Sequence, residues 1–131
     1  MSTNKRISFD YDSTLNTNAC LVYSKELIKR GYEIIILTSR MDDESANKAY
    51  LNYEDYNSDL KETAIELGIK EIHFTCHADK SDVLDSLNVV FHIDDDLIEN
   101  SLIRSNCKTP VIDFFANPEW KEQCEHILTT T

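Results

Sequence analysis

Short apolar runs alternate with amphipathic stretches along this chain, and the alternation predicts its elements. Ile7–Phe9 is apolar and predicts a first strand. Between Asn18 and Arg30, the residues Leu21, Val22, Leu27 and Ile28 recur at helical spacing, and Gly31 stands where such a helix would stop. Glu33–Leu37 (EIIIL) is a continuous apolar run between a glycine and Thr-Ser, the pattern of a strand covered on both faces. Asn57–Leu67 predicts a second helix, capped by Asn57 or Ser58 and stopped by Gly68. Glu71–Phe74 predicts a third strand and Ser81–Leu87 a short helix capped by Ser81 or Asp79. Val89–Ile93 predicts a fourth strand, Leu97–Arg104 a helix and Pro110–Phe114 a fifth strand. Pro118–Leu128 predicts a closing helix with Pro118 in its first turn. The polar stretch from Ser39 to about Tyr56 holds Tyr50, Tyr53 and Tyr56, and its first part reads as a loop or a short irregular helix.

Strand and helix alternate throughout. That order implies an α/β fold, a doubly wound three-layer sandwich whose five-stranded, mostly parallel sheet is joined by right-handed crossovers. A chain of 131 residues is expected to form one domain over 1–131, large enough for a real core and too small for two.

Composition narrows the partners. The net charge of −11 disfavours nucleic acid and anionic lipid unless a metal or local basic residues intervene. No apolar run approaches membrane-spanning length, so no membrane partner is expected. Cys20, Cys76, Cys107 and Cys124 show no C-x-x-C spacing, and no secretory leader precedes them; reduced thiols in a cytoplasmic protein are the expectation. Cys76 and His77 are adjacent, but further zinc ligands at recognisable spacing are missing. The only glycines are Gly31 and Gly68, which excludes a Gly-rich phosphate cradle or dinucleotide fingerprint.

Candidate chemistry collects where strands stop. The first strand runs into Asp10-Tyr11-Asp12-Ser13-Thr14, a D-x-D-x-T pattern whose two acids, spaced i and i+2, would point the same way on a strand. EIIIL ends in Thr38-Ser39-Arg40. Lys80 precedes the short helix in Asp79-Lys80-Ser81-Asp82, and VVFHI ends in Asp94-Asp95-Asp96. In a parallel sheet these strand ends converge on one edge, where ligands bind. His92 alternates with Phe91 and Ile93 and reads as a packed residue, while His73 and His77 have no assigned role. Asp96 reads as an N-cap for the following helix.

Acid pair, hydroxyl, lysine and acid pair, in that order, resemble the four signatures of the haloacid dehalogenase (HAD) superfamily over nearly the whole chain. The resemblance implies a Mg²⁺-dependent phosphomonoester hydrolase. Asp10 would be the nucleophile, Asp12 the general acid/base, and Lys80 the charge-neutralising lysine. Thr38, with Ser39 and Arg40 beside it, would contact the substrate phosphate. Asp10, Asp12 through its backbone carbonyl, Asp94 and Asp95 would form the metal site. Thr14 would orient Asp12 or the turn.

The chemistry suits these roles: a carboxylate attacking a phosphoryl group is an anion approaching an anion, which a hard cation and a lysine relieve. Only about one helix separates Leu15 from Glu33, and Phe74 to Lys80 is short, so no cap domain is expected. The site would stay open unless a homo-oligomer or a loop covered it. The T-S-R, the long polar segment and the acid pair are also similar to the phosphatase part of polynucleotide kinase/phosphatases; the tyrosines of that segment either stack on a base or ring or pack inward in a solvated loop. The acidic charge favours a nucleotide or other small phosphorylated substrate over nucleic-acid ends. Two alternatives stand beside this reading. A response-regulator receiver would carry an acid at the end of its third strand, but EIHF ends in Thr75-Cys76. A catalytically silent binding module of the same fold would keep the shape without the turnover.

Overall fold

The computed structural model describes residues 5–49 and 53–130. Five strands form one all-parallel sheet in the order β3-β2-β1-β4-β5: β1 (Arg6–Phe9), β2 (Glu33–Thr38), β3 (Ile72–Phe74), β4 (His92–Asp94) and β5 (Val111–Asp113). The expected sheet was mostly parallel; every pairing here is parallel. From β1 the chain winds outward through β2 to β3, then returns to lay β4 on the other side of β1. The order of winding therefore reverses between β1 and β4. A crevice forms beyond the carboxyl ends of strands at such a switch point, because the connections leave β1 and β4 towards opposite sides.

The helices are α1 (Asn18–Lys29), α2 (Asp43–Lys48), α3 (Tyr53–Tyr56), α4 (Ser58–Leu67), α5 (Leu97–Asn106) and α6 (Trp120–Thr130). Period-two alternation sends the strand residues into two cores. Ile7, Phe9, Ile34, Ile36, Ile93 and Ile112 pack with Leu27 of α1, Leu60 of α4 and Leu128 of α6. Ile35, Leu37 and Val111 face the other way, against Leu84, Leu87 and Ile103 of α5. Ser8 and His92 share this second face by alternation, and both are fully buried. EIIIL is covered on both sides, as its unbroken apolar run predicts.

Gly68 closes α4 in the left-handed conformation with φ 72°, and Gly31 follows α1 with φ 97°, so both predicted stops need the freedom of glycine. Thr17 caps α1 by accepting from the Cys20 amide.

Two sequence expectations change and one open reading is resolved. Ser81–Leu87 is not one short helix but two 3₁₀ turns, Lys80–Asp82 and Leu84–Leu87, ending at Asn88 with φ 56°. In the Ser39–Tyr56 segment the helical one of the two readings holds: its first part forms α2, and α3 lies at its end. Asp42 caps α2 by accepting from the Ser45 amide, and Asn57 Nδ2 ties the segment down by donating to Met41 O and Asp43. Pro118 lies ahead of α6, which begins at Trp120. No helix among the described residues is long and apolar enough to cross a membrane.

Candidate active site

The first strand stops at Phe9, and the chain turns sharply through Tyr11–Leu15, with Ser13 at φ 59°. Asp10 N donates to Ile93 O at 2.9 Å, which locks the turn to β4. Asp10 thus sits at the switch point. Its carboxylate is buried, with Lys80 Nζ donating to Oδ1 at 2.8 Å. The same ammonium donates to Asp94 Oδ2 at 2.5 Å, and Lys80 itself is only 2% exposed. Its backbone is held too, since Lys80 N donates to Glu99 Oε1 of α5 at 2.6 Å. The 3₁₀ turn and α5 together aim the lysine between two strand ends.

Asp94 is completely buried and fully engaged. Its Oδ2 also meets His92 Nε2 at 2.9 Å, and its Oδ1 accepts from Asp96 N at 3.1 Å. An ionised carboxylate can only accept, so His92 donates through Nε2 and, as a neutral ring, accepts the Ser8 hydroxyl at Nδ1, 2.7 Å away. Burial favours that neutral ring and lowers the His92 pKa. Burial alone would raise Asp94, but the His92 and Lys80 contacts outweigh it and hold this carboxyl well below the usual range. Lys80 would be lowered by burial, yet Asp94 and Asp10 keep it above the ordinary lysine value. Asp10 goes the other way: burial, resisted by Lys80 and reinforced by Asp94, pushes it up to about 8. Anchor and reactive candidate are thereby separated.

Asp95 follows β4 and turns to the other oxygen of Asp10. Thr14 Oγ1 lies 3.3 Å from Asp10 Oδ2 and 3.1 Å from Asp95 Oδ1. Thr14 thus bridges these two acids rather than orienting Asp12. Asp10, Asp94 and Asp95 each offer a carboxylate oxygen, all within 4.8 Å of one another; they are the one such group among the described residues. Cys76 and His77 join no such group. The donor set is all oxygen, three carboxyl groups with the Thr14 hydroxyl between two of them. It suits a hard divalent cation. Asp96 instead caps α5, accepting from the Ile98 and Glu99 amides at 3.0 and 3.1 Å.

Asp10, Asp12, Ser13, Ser39, Lys80, Asp94, Asp95 and Asp96 line one cleft of about 260 Å³. Asp12 shares this cleft with Asp10 but not its partners. Its half-exposed carboxylate receives Arg40 Nε at 2.9 Å and Nη2 at 2.7 Å. The strand alternation that would point both acids alike has already ended at Phe9.

Thr38 is fully buried and accepts from Arg40 N at 3.2 Å, while Ser39 is the hydroxyl that lines the cleft. Arg40 is not a free phosphate-binding cation. Besides Asp12 it donates to Asp59 Oδ1 and Oδ2 at 2.8 and 2.9 Å and to Tyr56 O at 3.1 Å. Its guanidinium also lies over the Tyr11 and Tyr56 rings, 5.1 and 5.9 Å from their centroids. Tyr56 therefore packs inward against Arg40. Tyr50 lies outside the described residues, as does the side chain of Tyr53.

Sequence reading passed over His92, Ser8, Glu99 and Asp59 as contributors. Only the place of His92 on the same strand face as Asp94, two residues on, carried a signal of it. Comparison with known proteins finds no match to any family model, any curated protein or any solved structure.

Proposed function

We propose that the protein is a Mg²⁺-dependent phosphomonoester hydrolase of the haloacid dehalogenase type, acting on a nucleotide or another small phosphomonoester. One observation carries this reading: Asp10 sits at the switch point with Lys80 on one oxygen and Asp95, through Thr14, beside the other. That is the arrangement an anionic nucleophile needs to meet an anionic substrate.

Asp10, Asp95 and Asp94, with the backbone carbonyl of Asp12, would hold the ion. Asp10 and Asp95 are the principal candidates, because both oxygens of Asp94 already serve Lys80, His92 and the Asp96 amide. A bound Mg²⁺ supplies charge neutralisation and Lewis acidity at a phosphoryl oxygen.

The protein's own groups then divide the work. Asp10 attacks phosphorus and the bond to the ester oxygen breaks, leaving an aspartyl-phosphate. Asp12 gives a proton to the departing oxygen. In the second step Asp12 takes a proton from water, the water oxygen bonds to phosphorus, and Asp10 leaves as carboxylate. Lys80 keeps Asp10 oriented and offsets charge, and the Ser39 hydroxyl faces the cleft as a neutral donor.

Five carboxylates against one lysine line the cleft, and the chain carries a net charge of −11; both favour a small substrate over a polyanion. The test is phosphate release with Mg²⁺ from 5′- and 3′-mononucleotides, phosphosugars and end-phosphorylated oligonucleotides, for the wild type and Asp10→Asn. Release by the wild type alone supports the reading. Equal release by the variant ends it, and a folded but silent wild type points to a binding module.

A further inference from the structure

Arg40 has five N–H donors and the structure uses all of them. Nε and one Nη2 hydrogen go to the two oxygens of Asp12, and the other Nη2 hydrogen goes to Asp59 Oδ2. Nη1 serves Asp59 Oδ1 and Tyr56 O. The two acids differ in origin: Asp12 belongs to the turn after β1, whereas Asp59 sits in the first turn of α4. Arg40 itself is only 14% exposed, while Asp12 and Asp59 are about half exposed at 52% and 55%. A half-exposed aspartate on a tight turn would sample several rotamers by itself; a planar fork gripping both of its oxygens leaves one. The fork is gripped in turn by Asp59, and its face is covered by Tyr11 and Tyr56.

We propose that Asp59 is a positioning residue for this site: through Arg40 it fixes the carboxylate of Asp12 at the rim of the cleft. The inference rests on the phosphatase reading, in which Asp12 carries the proton to the leaving oxygen. It gives α4 a role no cleft-lining residue reveals, since Asp59 does not line the cleft. Arg40 is accordingly a strut, with no donor left over for substrate. A purely structural clamp would hold the α3–α4 segment to the turn without regard to chemistry, and the two roles separate by leaving group. An alkoxide needs a proton as it departs; 2,4-dinitrophenolate does not.

The experiment compares kcat/KM, which reports phosphoryl transfer and leaving-group departure, on an alkyl phosphomonoester and on 2,4-dinitrophenyl phosphate. The wild type, Asp59→Ala, Asp59→Asn and Arg40→Lys are each assayed with Mg²⁺, and each is checked for folding by circular dichroism. Asp59→Ala is expected to lose on the order of tenfold or more on the alkyl ester and less than about threefold on the dinitrophenyl ester. Arg40→Lys should behave alike, because an ammonium cannot fork between two carboxylates. Asp59→Asn, which keeps an acceptor oxygen for Arg40, should recover part of the loss. Equal losses on both esters, or none on either, in a folded active protein overturn the inference and leave the phosphatase reading standing. A wild type silent on both esters overturns the phosphatase reading and this inference with it.

Discussion

Asp10 and Asp95, from the ends of two neighbouring strands, approach each other across the Thr14 hydroxyl, at 3.3 Å to one and 3.1 Å to the other. Burial makes Asp10 hold a proton here, and a divalent cation would take that proton's place between the two carboxylates. Mg²⁺ should therefore stabilise the fold. At a hundredfold excess over Kd the gain is about 2.7 kcal/mol if the unfolded chain does not bind. Thermal denaturation with and without Mg²⁺ checks this: the wild type shifts upward, Asp10→Asn and Asp95→Asn much less. An unshifted wild type would remove the metal site from the proposal.

The raised pKa of Asp10 predicts a pH dependence in the absence of metal. Unfolded, an aspartate titrates near about 3.9; in the fold, burial above all pushes Asp10 up to about 8. The folded state thus holds a proton that the unfolded state has lost, and the stability this contributes declines as pH rises between those values. His92 is lowered by burial, so its contribution declines in the opposite direction, as pH falls below about 6.5. Asp94, also lowered, matters only in acid. Between pH 7 and 8 the Asp10 slope stands alone among these three, up to ~1.4 kcal/mol per pH unit. Denaturation in chelator should show the wild type weakening across that window and Asp10→Asn staying flat. Parallel profiles for the two proteins would contradict the assignment.

Removing Lys80 leaves Asp10 and Asp94 without their shared counter-ion in a buried site. Lys80→Met should cost about 3–5 kcal/mol, the range for breaking a buried ion pair from one side. The double variant Lys80→Met/Asp10→Asn should recover part of that loss, because one of the two acids left without the lysine is gone. Urea denaturation of the four proteins closes the cycle. A double variant as unstable as the sum of its parts would show that Lys80 and Asp10 do not act on each other.

Much of this was legible in the sequence, for stated reasons. EIIIL announced a strand buried on two faces, and the acids and the lysine stood at strand ends or just before a turn, where a parallel sheet gathers them. The short elements were legible only in part, a short helix being one of two readings after Ser39. Six-residue α2 is polar, with only Ala46 buried, so it has no apolar stripe to detect. The Lys80 region mimicked a helix because Leu84 and Leu87 are three apart, a spacing that 3₁₀ turns share. The Arg40 clamp was invisible for another reason. Its partners lie 28 and 19 residues away in sequence, and nothing in local pattern distinguishes a clamped arginine from a free one.

The three consecutive acids after Ile93 look alike in sequence and should behave differently on mutation, which makes them a test of the whole site. Asp94 is buried under Lys80 and His92, so Asp94→Ala strands two polar partners and should cost several kcal/mol, on the order of 3–5. Asp96 is an N-cap; Asp96→Ala should cost about 1 kcal/mol and spare the Mg²⁺ shift. Asp95 has no lysine, histidine or cap to lose. Without metal, Asp95→Ala gives up the bond from the Thr14 hydroxyl and should leave stability within about 1 kcal/mol of the wild type. With metal, it should forfeit the Mg²⁺ stabilisation that Asp96→Ala retains. Thermal denaturation of the three variants in chelator and in Mg²⁺ gives the ranking directly. If Asp95→Ala instead destabilises the metal-free protein as strongly as Asp94→Ala, Asp95 is a structural anchor and the ion must be held by other oxygens.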